Sequence, residues 1–241
     1  MTTNPDRRGG IWWLVAAVSL LLAAACSGPA TTGSGTSPTG SPSSTAGVTP
    51  IRASFNGAGT HPTVNLEVPS PAWTLFKGFA VTNDAGGGMG VSFWDVGKVA
   101  RDPCHSIGDL YDPGPTVDDL VAALEAQQMR HATTPTDVTL AGYTGKYLEW
   151  SVPMGMKVTG DSNFVGCDVQ PWGNRDFVSW LGAGGVGERW QQMPGQIDQL
   201  WILDVNGQRL VVDASHSPDA TRAQLAEEDR IVHSIEFVPA A

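Results

Sequence analysis

The pattern of hydrophobic and polar positions divides the chain into three parts. An apolar run from Ile11 to Ala25 follows a short basic start, and a stretch dominated by Gly, Ser, Thr and Pro comes after it. Strand-like and helix-like patterns occupy the rest of the sequence. These patterns predict a signal peptide over 1–25, a flexible linker over 26–62 and a single globular domain over 63–241.

The strongest strand signal in the domain is a pair of apolar runs, Leu200–Val205 and Gln208–Asp213, that flank an Asn-Gly dipeptide. Asn-Gly between such runs favours a type I′ hairpin turn, because both residues tolerate a positive φ. The turn fixes a register in which Asp204 faces Arg209 as a favourable cross-strand pair. Since both runs are apolar on both faces, we expect this hairpin in the middle of a sheet that is covered on each side.

Weaker patterns predict further strands. β-Branched and aromatic residues are enriched in these segments, and Gly-rich or Pro-containing loops separate them. The predicted strands cover residues 64–73, 73–81, 91–96, 176–180 and 188–191, with a strand, a tight turn and a second strand over 137–152. The Gly-rich segments 84–90 and 182–187 are predicted to be hairpin loops.

Two helices are predicted. Thr116 is a favourable N-cap for a helix that ends near Gln127, and two Asp residues occupy its first turn. Ser217 followed by Pro218 predicts the start of a second helix, with an edge strand or helix tail at 234–238. Together the elements predict an α+β fold, in which a mainly antiparallel sheet of six to eight strands packs with two helices as an α/β sandwich.

The composition narrows the class of protein. The formal net charge is −10, from 14 Lys and Arg against 24 Asp and Glu. Nucleic-acid binding needs a clustered basic face, so we expect no nucleic-acid partner. The acidity also repels the domain from anionic lipid head groups.

The chain contains three cysteines, and they have two predicted uses. Cys26 closes the apolar run near the N-terminus. Cys104 and Cys167 lie in the domain, and two cysteines in an exported domain predict one disulfide. On the chain-entropy account such a bridge stabilises the fold by about 4 kcal/mol. The alternative of a metal or redox site lacks a CxxC motif and histidines at ligand spacing.

The N-terminal apolar run is shorter than the roughly 20 residues that a membrane-spanning helix needs. Residues 22–26, Leu-Ala-Ala-Ala-Cys, resemble the lipobox of bacterial lipoproteins, with Ala23 where that family usually has Leu. The resemblance implies that Cys26 is lipidated and holds the protein stably on the outer face of the cytoplasmic membrane. The alternatives are an uncleaved anchor or a plain secreted protein, and twin-arginine export through Arg7 and Arg8 in place of general secretion.

Segments of the domain look like uncharacterised exported domains of high-GC Gram-positive (actinobacterial) bacteria. These segments are Phe93–Val96, Asp102–Cys104, Gly114–Leu120 and Leu200–Val205. The order of strands, helix, strands and closing helix is also similar to the PsbP-like α/β/α sandwich, which serves binding and assembly roles. These resemblances imply a fold and a general role, and they carry no activity or site residues.

We expect no catalytic residues, no cofactor and no metal site. Residues 182–187 match G-x-G-x-x-G, but no helix is predicted after them, so a dinucleotide site is not expected. Asp213, Ser215 and His216 are interpreted as a strand end and a cap, because a catalytic triad is assembled from distant positions. No pair of carboxylates stands out as a glycosidase pair. The remaining candidates are interpreted as solvated, capping or surface residues: Asp109, Asp112, Asp118, Asp119, His61, His105, His131 and His233.

Trp172 and Trp190 are the candidate ligand contacts, because each lies near Gly or Pro in a loop-like context. Packing in the core or in a wall of the domain is the favoured interpretation, and exposure for stacking on a ligand is the alternative. The predicted function is a lipid-anchored, non-catalytic binding or accessory module of the cell envelope, for a protein partner or a small ligand. The alternatives are a glycan- or lipid-binding module that uses exposed Trp, and a cell-envelope hydrolase.

Overall fold

The computed structural model describes residues 47–83, 88–160 and 162–239. This part of the chain forms mostly antiparallel sheet with two α-helices, which confirms the predicted α+β class. The strands are β1 Thr49–Ala53, β2 Thr63–Val68, β3 Thr74–Phe76, β4 Ala80–Asn83, β5 Met89–Trp94, β6 Val96–Ala100, β7 Leu110–Tyr111, β8 His131–Ala132, β9 Thr136–Leu140, β10 Tyr143–Ser151, β11 Val158–Thr159, β12 Asn163–Phe164, β13 Val178–Gly182, β14 Glu188–Trp190, β15 Ile197–Val205, β16 Gln208–His216 and β17 Glu236–Val238. The helices are α1 Val117–Glu125 and α2 Arg222–His233.

The principal sheet has the strand order β3-β4-β5-β16-β15-β10-β8, and β9 also pairs with β10. The long hairpin β15–β16 lies in the middle of this sheet, as predicted. Leu203 and Leu210 face one hydrophobic cluster, which includes residues of α2. Ile202 and Val211 face a second cluster, which includes residues of α1. The two helices therefore cover opposite faces of the sheet, because successive strand side chains point to opposite sides.

The turn of the central hairpin has the predicted conformation, with φ of 57° at Asn206 and 84° at Gly207. Asp204 lies opposite Arg209 in the register, as expected. The predicted ion pair between them is wrong. Asp204 accepts a hydrogen bond from the amide of Gly207 at 2.6 Å. Arg209 extends to the loop before α1, where it donates to the carbonyl oxygen of Gly114.

The helix starts depend on side-chain caps. At α1, the Thr116 hydroxyl accepts from the Asp119 amide and the Asp119 carboxylate accepts from the Thr116 amide, which confirms the predicted start. The predicted start of α2 at Pro218 is wrong, because the equivalent capping box is made by Thr221 and Gln224. The tail at 236–238 forms strand β17, which pairs with β2.

The segment around Trp73–Val81 differs from the single strand predicted there. Lys77 and Gly78 have φ of 47° and 81°, so the chain turns tightly between β3 and β4. β3 consequently forms an edge of the principal sheet, with Leu75 and Phe76 exposed.

The folded part of the chain begins earlier than the predicted boundary at residue 63. β1 pairs along its whole length with β2, and Ala53 and Phe55 are buried in the core. Their burial anchors a segment that had been assigned to the flexible linker. The predicted signal peptide, Cys26, the linker up to residue 46 and the loop residues 84–87 lie outside the described residues. Within the described ranges, no helix is long and apolar enough to cross a membrane.

The predicted disulfide is confirmed. Cys104 and Cys167 are bonded, with an S–S distance of 2.02 Å, and both are buried. They belong to a third hydrophobic cluster with Val152, Phe164 and Phe177. The bridge thus fixes the loop that follows β6 to the long loop region before β13, where few strands are available to hold the chain.

Candidate ligand-binding groove

An open groove of about 700 Å³ brings together the two tryptophans that the sequence singles out. This volume lies in the range of small-molecule sites. Trp172 and Trp190 both line it, with fractional exposures of 51% and 39%. Both tryptophans thus lie in the wall of a groove and are not packed in the core. Phe76 and Val186 add exposed apolar surface to the same groove.

Trp172 projects from a tight turn in the loop before β13. The amide of Gln170 donates to the carbonyl of Asn174 at 2.7 Å and closes the turn. The indole Nε1–H of Trp172 donates to the Asp176 carboxylate at 2.7 Å, and Asp176 is itself buried. This bond holds the indole in one orientation while half of the residue stays exposed, so the ring offers a fixed surface to a ligand.

Trp190 is positioned by β14, the edge strand of a four-stranded sheet of order β14-β13-β6-β7. Glu188 and Trp190 line the groove. Arg189, which lies between them, is buried and points to the opposite side, as the alternation of a strand requires. There it contacts the carboxylates of Asp198, at 2.6 Å, and Asp213.

Arg189 belongs to a buried charged cluster, which we define as Arg130, Arg189, Asp198 and Asp213. Arg130 contacts Asp198 at 3.5 Å and stacks on Trp150, with its guanidinium carbon 4.2 Å from the ring centroid. Burial lowers the pKa of Arg130 to about 10. Burial also raises the pKa of Asp213 from its ordinary 3.8 to about 6, and the attraction of Arg189 opposes this rise.

This cluster is not predicted from the sequence, in which Asp213 is interpreted as a strand end. Asp198 and Asp213 lie on adjacent strands, on the face that carries Leu200 and Val211. Each of the two paired strands carries an acid within an apolar run, and both acids lie on the same face. This repetition is the sequence signal that indicates such a buried cluster. The two carboxylates are fully buried and Arg189 bridges them, whereas a glycosidase needs its carboxylates on either side of a substrate. The arrangement therefore supports a structural role.

The groove itself carries both signs of charge. Asp176 and Glu188 line it together with Lys77. Burial, and then the nearby charge of Asp176, raise the pKa of Glu188. The groove lining thus has two acidic side chains against one basic side chain.

A smaller notch of about 100 Å³ adjoins the groove and shares Phe76, Phe79, Glu188 and Trp190 with it. Three hydroxyl-bearing side chains also line the notch. These side chains are Thr82, Ser92 and Ser215. The notch thus adds hydroxyl groups to the aromatic surface that it shares with the groove.

A second concavity, of about 780 Å³, lies beside the start of α1 and the β9–β10 hairpin. Four of its five charged side chains, those of Asp137, Lys146, Asp204 and Arg209, are engaged with each other or with the backbone. Lys146 contacts Asp137 at 2.6 Å, and Arg209 donates to the carbonyl oxygens of Thr116 and Val96. Because these groups are already partnered and no aromatic ring lines the concavity, the tryptophan groove is the better candidate for a ligand site.

Several histidines have carboxylate partners that the sequence did not predict. His61 has a buried side chain and lies 3.3 Å from Asp95. His216 lies 2.8 Å from Glu228, so it pairs within the fold and does not cap a helix. The other contacts are His105 with Asp168 and His233 with Asp229, both at 3.2 Å, and His131 is exposed in β8.

The acidic loop residues have local structural roles. Asp109 contacts Arg101 at 3.0 Å, and Asp112 accepts from the amide of Gly114 at 2.8 Å. Asp119 serves the α1 cap described above. Within the described part of the chain, no group of three or more His, Cys, Asp or Glu side chains could hold a metal ion.

Comparison of the chain with protein-family models, with curated proteins and with solved structures finds no match. The resemblances to bacterial lipoproteins and to the PsbP-like sandwich therefore stay predictions. The evidence on function therefore comes from the groove itself and from the sequence of the chain.

Proposed function

We propose that the protein is a lipid-anchored, non-catalytic binding module of the cell envelope, and that the tryptophan groove is its ligand site. One observation carries this proposal. Trp172 and Trp190 come from separate elements, and both open into the same groove. Large aromatic side chains exposed together are unusual on a soluble domain and favour a recognition role.

The site has the composition of a binding surface. The aromatic rings are held by the surrounding fold, and polar side chains lie between them. The buried acids Asp198 and Asp213 lie outside the groove lining, are bridged by Arg189 and have a structural role. A site that presents fixed aromatic surface and polar contacts binds a ligand without needing to transform it.

The proposed location is the outer face of the cytoplasmic membrane. The lipobox-like sequence supports a lipid on Cys26, and the Ser- and Thr-rich segment after it would separate the domain from the membrane. The disulfide between Cys104 and Cys167 supports an oxidising, extracytoplasmic environment. The partners would be the membrane, through this lipid, and an envelope component, through the groove.

The test is co-sedimentation of the full-length protein with envelope fragments from a strain that lacks it. The fragments are extracted with detergent and the assay is run in detergent, so that the acyl chains stay in micelles. We expect the wild type to sediment with the fragments and the W172A/W190A variant to remain largely in solution. The matched control is I107A, since Ile107 is 54% exposed and does not line the groove. Equal sedimentation of all three proteins would refute the groove as the site.

A further inference from the structure

The tryptophan groove is lined by both aromatic and hydrogen-bonding side chains. Trp172, Trp190 and Phe76 provide the aromatic surface. Amide, hydroxyl and carboxylate groups lie among them, from Asn56, Asn174, Ser162, Asp176 and Glu188. A ligand that matches this lining has flat apolar faces and hydroxyl groups along its edges. A pyranose ring has this distribution, because its C–H bonds form the faces and its hydroxyls lie at the rim.

We infer that the ligand is an uncharged glycan segment whose sugar rings lie against the indoles of Trp172 and Trp190. This inference rests on the proposed function, and it adds the chemical class of the ligand. The hydrogen bond from Trp172 to Asp176 fixes one platform before the ligand arrives. Preorganisation of this kind reduces the entropy lost on binding.

The charges of the site argue against an anionic ligand. Asp176 and Glu188 lie in the groove, and the pKa of Glu188 is raised by burial and by Asp176, so further negative charge is disfavoured. Lys77 supplies one positive charge to the lining, and the chain as a whole carries a net charge of −10. An anionic wall polymer or a phospholipid head group would meet net repulsion.

The edge of β14 offers little to a peptide partner. An extended peptide would add to the exposed edge strand through main-chain hydrogen bonds. The carbonyl of Trp190 already accepts from the side chains of Arg189, at 2.8 Å, and Gln192, at 3.4 Å. β14 is also three residues long, so the groove presents side chains in place of a free backbone ladder.

The notch beside the groove adds a feature that suits a substituted sugar. Its volume of about 100 Å³ is smaller than the roughly 150 Å³ that accommodates a benzene molecule. It can receive a hydroxymethyl or acetamido group of a ring that lies on Trp190. The hydroxyl groups of Thr82, Ser92 and Ser215 in its lining provide the polar contacts.

The inference is tested with envelope fragments in the detergent co-sedimentation assay, after two treatments. Exhaustive protease digestion destroys protein partners, both folded and extended. The digested material is used whole, so that every glycan is kept. Glycan destruction combines mild periodate oxidation, which opens sugar rings that carry a vicinal diol, with glycosidases that cleave N-acetylglucosamine linkages, because 1,4-linked N-acetylglucosamine has no vicinal diol within the chain. We expect groove-dependent binding to survive protease and to be lost after glycan destruction. Binding that is lost after protease, or that survives glycan destruction, would overturn the inference.

Titration with defined neutral oligosaccharides, such as hexamers of glucose, mannose and N-acetylglucosamine, gives the direct measurement. At least one should change the tryptophan fluorescence saturably, with affinity about tenfold weaker for W172A or W190A and unchanged for I107A. The glycan assignment is overturned if none of the three oligosaccharides changes the tryptophan fluorescence and if envelope binding is also lost after protease. If untreated fragments show no difference between wild type and W172A/W190A, the proposed function itself fails, so the two failures are distinguishable.

Discussion

Replacement of Arg189 by Met tests whether the buried charged cluster stabilises the fold as a unit. In the wild type, the guanidinium contacts Asp198 at 2.6 Å and also Asp213, and both acids are fully buried. After the substitution, Asp198 keeps Arg130 at 3.5 Å. Asp213 is left with the hydroxyl of Ser92, at 3.4 Å. The charge stranded by R189M is therefore mainly that of Asp213.

The expected loss is large. Removal of one partner from a buried ion pair costs about 3–5 kcal/mol, because the other charge remains without compensation. A domain is typically stable by about 5–15 kcal/mol, so R189M should retain a weakened fold. In the R189M/D213N double variant, the stranded charge is gone and the amide occupies nearly the same volume. We expect the double variant to regain about half of the loss, which makes the two substitutions strongly non-additive.

The assay is urea denaturation at pH 7 with the disulfide intact, and unfolding is monitored by tryptophan fluorescence. The matched control is R101M, since Arg101 forms an exposed pair with Asp109 and should cost less than about 1 kcal/mol. A loss below about 1 kcal/mol for R189M would refute the reasoning. A double variant less stable than R189M alone would refute the assignment of the stranded charge to Asp213.

Four further predictions concern separate features. The pKa of Asp213 is raised to about 6, so the folded state binds the proton of Asp213 more tightly than the unfolded chain does. The free energy of unfolding of the wild type relative to D213N, measured by urea titration, should therefore fall as the pH rises from about 4 to 6. An increase of this difference over the same pH range would contradict the assignment. Removing the disulfide with C104A/C167A should cost about 2–5 kcal/mol by urea denaturation, and reduction of the wild type should give a similar loss. A Cβ at Gly145 would collide with the backbone of β15, so G145A should cost about 1–3 kcal/mol, whereas G155A, where a Cβ meets open space, should cost less than about 1 kcal/mol. Wild-type protein should incorporate radiolabelled palmitate in cells and C26A should not, and label in C26A would refute the anchor.

The parts of the fold that the sequence predicts well are those governed by local interactions. The Asn-Gly turn requires positive φ at two adjacent residues, and the structure has it with the predicted register. The α1 cap is local as well, because Thr116 and Asp119 are three residues apart and satisfy each other's backbone groups. Such features are specified by a few neighbouring residues, so the rest of the fold does not need to be known.

The wrong predictions have two physical origins. Ser217-Pro218 is a favourable helix start, but a competing local contact takes its place, since the Ser217 hydroxyl accepts from the amide of Asp219 and closes a turn. The boundary at residue 63 is wrong for a different reason, because the pairing of β1 with β2 joins two separate segments of the chain. No local pattern encodes that pairing partner.

The candidate site shows the same limit. The sequence singles out Trp172 and Trp190 from their Gly and Pro neighbours. It does not show that a turn and an edge strand bring both rings to one groove, because this depends on the pairing of β13 with β14 and on the hydrogen bond to Asp176. The buried acids were missed for a related reason, since their partner Arg189 lies on a strand of another sheet.

β14 carries both a residue of the groove, Trp190, and a residue of the buried charged cluster, Arg189. Mutagenesis can therefore distinguish a role in ligand binding from a role in stability. Trp190 is partly exposed, so its loss should weaken ligand binding while leaving the free energy of unfolding within about 1 kcal/mol of the wild type. Arg189 points the other way and fixes the strand through Asp198 and Asp213. R189M should therefore lower stability, and it should weaken binding even under conditions where the variant is fully folded, because β14 is then held less firmly. If R189M lost stability but bound envelope fragments as the wild type does, the position of β14 in the groove would depend on its pairing with β13 and not on the buried charged cluster.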